Sequence, residues 1–233
     1  MRSVEQFEAA KRLIAAGVND CAIARHDLAA LAPPAYCYTL GLYLGDGCIS
    51  RSQRVRHLSI TLDKKHPGII TRCCAGIDML MPGQRASIHA QPTGCVVVSH
   101  YSKHWPCLFP QHGPGRKHTR PIRLEPWQQA LVKQATEEFI RGLIDSDGCC
   151  VVANDRGVRS VRYHFSNRSE DILGLFSGAL DDLGIRWTRP SKYVIAVYRK
   201  AATARLDEFV GPKRECRRGT VVGCRLPVVA GPR

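Results

Sequence analysis

Two stretches of the chain alternate apolar and polar residues with a period of two. Leu58, Ile60 and Leu62 alternate with His57, Ser59 and Thr61, and Val161, Tyr163 and Phe165 alternate with Ser160, Arg162, His164 and Ser166. That pattern predicts half-buried antiparallel strands, each with one apolar and one polar face. Both are preceded by a shorter strand and a turn, C-I-S-R-S-Q after Gly47 and C-C-V-V-A-N-D-R-G after Gly148. Both are followed by a helix, over residues 66–81 and 169–184; Ser169 serves as N-cap of the second, and Gly184 lies just past its end. Two further strands follow in each half, at 86–90 with 95–100 and at 185–188 with 193–199. Each half then closes with a helix and a basic loop, residues 112–118 and 210–214. With one long helix predicted over residues 127–146, the order helix, two strands, helix, two strands, helix occurs twice.

The helix that opens each half carries a nearly repeated motif, T-L-G-L-Y-L-G-D-G at residues 39–47 and I-R-G-L-I-D-S-D-G at residues 140–148. Helical spacing lines up Cys37, Gly41 and Gly45 on one helix, and Gly142 and Ser146 on the other. A mid-helix glycine costs about 1 kcal/mol relative to alanine, so these glycines need a compensating close approach. The two helices are therefore expected to pack face to face. Asp46 and Asp147 then fall side by side at two helix C-termini, where the helix dipole already repels an anion. A divalent cation relieves both repulsions, and oxygen ligands suit Mg²⁺.

Charge narrows the partner. The 233 residues include 34 Lys and Arg against 20 Asp and Glu, a formal net charge of +14 with a sequence pI near 9.6. That surplus favours a polyanionic partner. No apolar run reaches the roughly 20 residues of a membrane helix, and the first residues lack the apolar core of a signal peptide. A cytoplasmic protein follows, nucleoid-associated when bound to DNA, with reduced thiols. The 11 cysteines form no C-x-x-C pair, and most are read as small buried hydrophobes. Cys95, His100, His104, Cys107, His112 and His118 match no structural zinc spacing, and these histidines are read as solvent-facing or DNA-facing. Residues 4–32 resemble the first two helices of a helix-turn-helix unit, with Gly17 at the turn and no third helix before Pro33 and Pro34.

The residues Gly142-Leu143-Ile144-Asp145-Ser146-Asp147-Gly148, with Gly41, Leu42, Asp46 and Gly47 in the first copy, resemble the LAGLIDADG (DOD-type) homing endonucleases. Leu44 stands where the pattern has its earlier Asp. The resemblance implies an α+β fold: a pseudosymmetric, tandem αββαββα pair whose two antiparallel sheets form a saddle over double-stranded DNA, in a monomer. The halves would span residues 34–124 and 125–215, between a helical segment at 1–33 and a basic tail at 216–233. It also implies metal-dependent hydrolysis of both DNA strands, with Mg²⁺ or another divalent ion held by Asp46 and Asp147 next to Gly45 and Ser146. Lys117 and Lys213, in the paired G-P…K loops, are the basic catalytic candidates. Arg51, Gln53, His57 and Ser59 in the first half, and Arg162, His164 and Ser166 in the second, are the DNA-facing candidates, since Arg and Gln suit guanine and adenine edges. The alternative is a DNA-binding transcriptional regulator, or a decayed endonuclease, that keeps the fold without cleaving; both acids argue for the enzyme, and the N-terminal helical pair argues for the regulator.

Overall fold

The structure, a computed structural model, describes residues 30–52 and 55–211. Its first helix, α1 (Pro33–Asp46), carries Pro in its first turn, where the missing N–H costs nothing. Every residue from Ala35 to Leu44 is buried, so α1 runs through the middle of the molecule rather than along its surface. After it come β1 (Gly47–Ser52), β2 (Val55–Asp63), α2 (Pro67–Leu80), β3 (Ser87–Ala90), β4 (Cys95–Ser102) and the single-turn α3 (Trp105–Leu108). The second half runs through α4 (Pro126–Gln134), α5 (Thr136–Asp147), β5 (Gly148–Asp155), β6 (Val158–Ser166), α6 (Glu170–Asp182), β7 (Thr188–Ser191), β8 (Val194–Val197) and α7 (Lys200–Phe209).

The two sheets have the same order, β1-β2-β4-β3 and β5-β6-β8-β7, with every pairing antiparallel. Their registers match as well: Gly47 lies opposite Ile60, and Gly148 opposite Phe165. Leu58, Ile60, Tyr163 and Phe165 point into one continuous core, as the alternation predicts. The α+β duplication is thus the observed architecture.

The glycine faces meet. A Cβ on Gly142 would lie 2.2 Å from the Tyr38 carbonyl oxygen, and one on Gly41 would lie 2.7 Å from the backbone of Phe139 and Leu143. One turn later, a Cβ on Gly45 would sit 2.2 Å from Ser146 Oγ. α1 and α5 therefore touch backbone to backbone. Beside this seam lies Asp145, the earlier acid of the second motif. It is buried, accepts a hydrogen bond from Tyr38 OH at 2.9 Å and pairs with Arg72 of α2 at 3.0 Å. Leu44 is its counterpart in the first half and is fully buried without a charge to satisfy.

Several expectations change. The helix expected over 127–146 is two helices, broken at Ala135 (φ −136°, ψ 52°). The break lets Trp127 pack on the Tyr36 ring (centroids 5.4 Å apart) while the glycine face of α5 turns onto Tyr38. α4 begins with a capping box between Glu125 and Gln128. The strand expected at 185–188 starts only at Thr188, because Gly184 (φ +67°) ends α6 and drops Ile185 into the core. Of the cysteines among the described residues, Cys37, Cys73 and Cys74 are buried, Cys95, Cys107 and Cys150 are half-buried, and Cys48 and Cys149 are exposed. Most are therefore not core residues, since Cys48 and Cys149 take the outward parity of β1 and β5. His100 is not solvent-facing: it is 4% exposed and packs edge-on against Trp105 (centroids 5.4 Å apart). The N-terminal helical pair lies almost entirely outside the described residues.

Gly142→Leu is expected to force α1 and α5 apart. Overpacking costs about 1–3 kcal/mol even where side chains can yield; here the obstacle is the Tyr38 carbonyl. At roughly 2–4 °C per kcal/mol for a chain of this size, Tm should fall by at least about 5 °C in a thermal melt. An unchanged Tm would refute the packing.

Candidate functional site

The seam delivers two carboxylates to one place. α1 and α5 both end on Asp followed by Gly, and each Gly starts a strand, with Gly47 N–H bonded to the Tyr43 carbonyl and Gly148 N–H to the Ile144 carbonyl. Asp147 Oδ2 lies 2.9 Å from where a Gly45 Cβ would be, so this carboxylate rests against the last turn of α1, next to Asp46. The cleft over this spot has a volume of about 580 Å³ and is lined by Gly45, Gly47, Cys48, Lys117, Arg120, Asp147, Ser166, Asn167 and Arg168 among others. Asp147 thus sits in a pocket rimmed by basic side chains.

Lys117 closes the first side. A 3₁₀ turn at Lys117–Thr119 projects its ammonium onto the C-terminal end of α1. There it donates to the carbonyl oxygens of Gly47 at 2.6 Å, Gly45 at 3.1 Å and Tyr43, and it lies 4.9 Å from the Tyr43 ring centroid. Burial lowers its pKa from 10.5 to about 8, although Asp147 and Asp46 both pull it back up. Both acids are therefore within electrostatic reach of the lysine. Lys213, its expected counterpart, lies outside the described residues.

On the second side, Asn167 Nδ2 donates to Asp147 Oδ2 at 2.7 Å, and Asn167 Oδ1 accepts from Ser169 N–H at 2.8 Å. Ser169 in turn caps α6, its hydroxyl accepting from Ile172 N–H. Asp147 is thereby tied to the start of α6. Asn167 was not singled out from the sequence, although pairing Gly148 with Phe165 would have put it two residues beyond the anchor. The same count in the first half arrives at Leu62, which is buried. The two halves thus differ at the site.

The donor set is all oxygen: two carboxylates and the peptide carbonyls at the end of α1, which suits a hard divalent cation. The carbonyls already attract an ammonium, so this end of α1 acts as a cation cradle, and a carbonyl oxygen has two lone pairs to share. Ser146 Oγ turns back to donate to the Leu143 carbonyl at 2.8 Å. Among the described residues, no group of three or more His, Cys, Asp or Glu side chains forms a metal cluster.

The sheets' outward faces carry most of the remaining candidates. His57 and Ser59 share a face with Cys48 and Ser50, and Arg162 and His164 share one with Cys149 and Val151. Ser166 lines the cleft itself. Arg51 is the exception: it lies opposite Arg56 and has the parity of Ile49 and Leu58, so it belongs to the other face. The period of two, anchored at Gly47, decides this. Gln53 falls outside the described residues.

Residues 135–200 match the sequence family described as the LAGLIDADG-like domain. No curated protein sequence matches the chain. Among solved structures, the homing endonuclease I-WcaI bound to its DNA recognition sequence is similar at 12% identity and a TM-score of 0.50, covering 89% of this chain and 94% of that one. A structure of I-DmoI in complex with DNA and Mn is similar at 16% identity and a TM-score of 0.47, covering 77% and 97%. The N-terminal LAGLIDADG domain of DUF199/WhiA is similar at 13% identity and a TM-score of 0.47, covering 91% and 94%. The duplicated architecture around the two Asp-ended helices is the LAGLIDADG fold.

The depressed Lys117 pKa has a consequence for stability. Between about pH 8 and 10.5 the unfolded chain binds the lysine proton and the folded protein does not. Stability from this group therefore rises with pH across that window, and the folded state carries the full cost of the buried charge below it. At about 1.4 kcal/mol per pKa unit, the rise is at most roughly 3.5 kcal/mol. Thermal melts from pH 7 to 10 should show Lys117→Met gaining on the wild type at the low end and losing that advantage as pH rises. A pH-independent difference would contradict the buried ammonium.

Proposed function

We propose that the protein is a site-specific DNA endonuclease that hydrolyses one phosphodiester on each strand of a duplex. The observation that carries this reading is the retention of both acids, Asp46 and Asp147, at the ends of two helices that the glycine seam holds together. Twofold repetition of the fold supplies one acid per strand. A bound divalent metal, Mg²⁺ in this reading, would polarise the scissile phosphate and lower the pKa of an attacking water.

The chain's own groups would then divide the work. Asp46 and Asp147 hold the cation, and Asn167 fixes the orientation of the Asp147 carboxylate. Lys117, with a pKa of about 8, keeps a cation at the α1 end yet can give up or take a proton near neutral pH. Arg120 and Arg168, on the cleft wall, meet phosphate charge. The polar sheet faces with His57, Ser59, Arg162 and His164 lie against the groove, and the net charge of +14 favours the duplex as partner. The chain acts as a monomer in this reading, because both half-sites are encoded in one sequence.

The test is cleavage, with Mg²⁺, of a plasmid carrying the gene's flanking DNA joined without the gene. Wild type is expected to give linear product. Asp46→Asn and Asp147→Asn should each abolish double-strand cutting, leaving at most a nick, with DNA affinity within a few-fold of wild type. Double-strand cutting by either variant at the wild-type rate would overturn the assignment. Tight binding with no cleavage by wild type would favour the non-cleaving regulator. Affinity should also fall with salt, with a log–log slope of about −0.9 per neutralised phosphate; a flat response in a binding titration would remove the DNA partner.

A further inference from the structure

The outward faces of the two sheets carry a matched pair of tyrosines that the cleavage chemistry leaves unused. His57 lies three residues before Ile60, the partner of Gly47; Arg162 lies three before Phe165, the partner of Gly148. The duplication therefore places His57 and Arg162 in equivalent positions. Tyr101 lies directly opposite His57. Tyr198 follows Val197, whose partner is Tyr163, and so takes the same place beside Arg162. Tyr101 is 51% exposed and Tyr198 40% exposed.

The company each tyrosine keeps differs. His57 lies flat on Tyr101, with ring centroids 4.3 Å apart and planes 13° from parallel. The Arg162 guanidinium carbon lies 5.6 Å from the Tyr198 ring centroid, its Nε donates to Ser160 Oγ at 3.3 Å, and His164 meets the same ring edge-on at 5.6 Å. An arginine seated on an aromatic ring and tethered at Nε has already lost much of its rotamer freedom, so its planar fork is preset for bidentate contact. In a major groove that fork matches O6 and N7 of guanine. An imidazole stacked on a ring presents single nitrogens at opposite corners and has no such fork.

We propose that Arg162, seated on Tyr198, reads a guanine in one half of the DNA target, and that the equivalent position in the other half, facing His57 and Tyr101, is not read as guanine. The target then departs from palindromic symmetry at this pair of positions. The proposal rests on the duplex-DNA partner of the proposed function and is independent of whether the strands are cut.

The test is selection of bound sequences from a randomised duplex library by the full-length protein without Mg²⁺. Wild type should enrich a guanine at one position of one half-site, without a guanine at the symmetric position. Arg162→Ala should lose that preference, worth roughly ten- to a hundredfold, while preferences elsewhere persist. Arg162→Lys, which keeps the charge and most of the side-chain stem, should lose it as well, and His57→Arg should install a guanine at the symmetric position. An unchanged guanine preference in Arg162→Lys would overturn the proposal, as would a wild type that binds duplex without enriching any sequence. Failure to bind duplex at all would overturn the proposed partner too. Enrichment as expected with no cleavage on adding Mg²⁺ would sustain this inference and remove only the endonuclease.

Discussion

The close contact between α1 and α5, backbone to backbone at Gly41 and Gly142 and onto Ser146 at Gly45, is the constraint on which the rest depends. With glycine at each of these positions, the helices descend together and finish together, so the residues after their last turns are neighbours by construction. Had alanine stood at these positions, its Cβ would collide with the facing backbone at 41 and 142 and with the Ser146 side chain at 45, and the helix ends would separate. The two acids would then no longer both lie near Lys117. The glycines cost helix propensity, and what offsets that cost is the placement of Asp46 and Asp147.

Around this seam the halves are equivalent in topology and unequal in chemistry. Sheet order and register repeat, yet Leu44 answers Asp145, Leu62 answers Asn167 and Val197 answers His100. The Asp145 carboxylate is buried and needs Arg72 and Tyr38. Replacing such a pair by a well-packed apolar residue is frequently neutral for stability, which is the solution seen at Leu44. The earlier acid of the motif is thus a structural group in one half and dispensable in the other. The final acid has a different environment, at a cleft lined by Lys117, Arg120 and Arg168.

Electrostatics ties the seam to the cleft. The C-terminal end of α1 presents carbonyls and two nearby carboxylates, a negative spot that would repel itself without a cation. Lys117 supplies one, and burial brings its pKa to about 8. The same oxygen-rich surface would accept a divalent ion, so the cation cradle and the candidate chemistry are one feature.

The strands, the duplication and the packing of the motif helices were all legible in the sequence, because each rests on local periodicity: two for Leu58–Leu62 and Val161–Phe165, four for the glycine spacing. The N-cap at Ser169 and the helix stop at Gly184 were legible for the same reason. Arg51 went to the wrong face because parity depends on which residue anchors the pair, and the anchor Gly47↔Ile60 is a long-range hydrogen-bonding choice. Asn167 on Asp147, Arg72 on Asp145 and the three carbonyls under Lys117 join residues 20 to 74 positions apart. The break at Ala135 likewise follows from Trp127 and Gly142 having to reach different parts of α1. The sequence by itself determined most of the elements, their repetition in two halves and the two Asp-ended helices, since those follow from spacing along the chain. Only the tertiary structure decided which polar groups meet those acids, because that depends on side chains brought together by packing rather than by spacing.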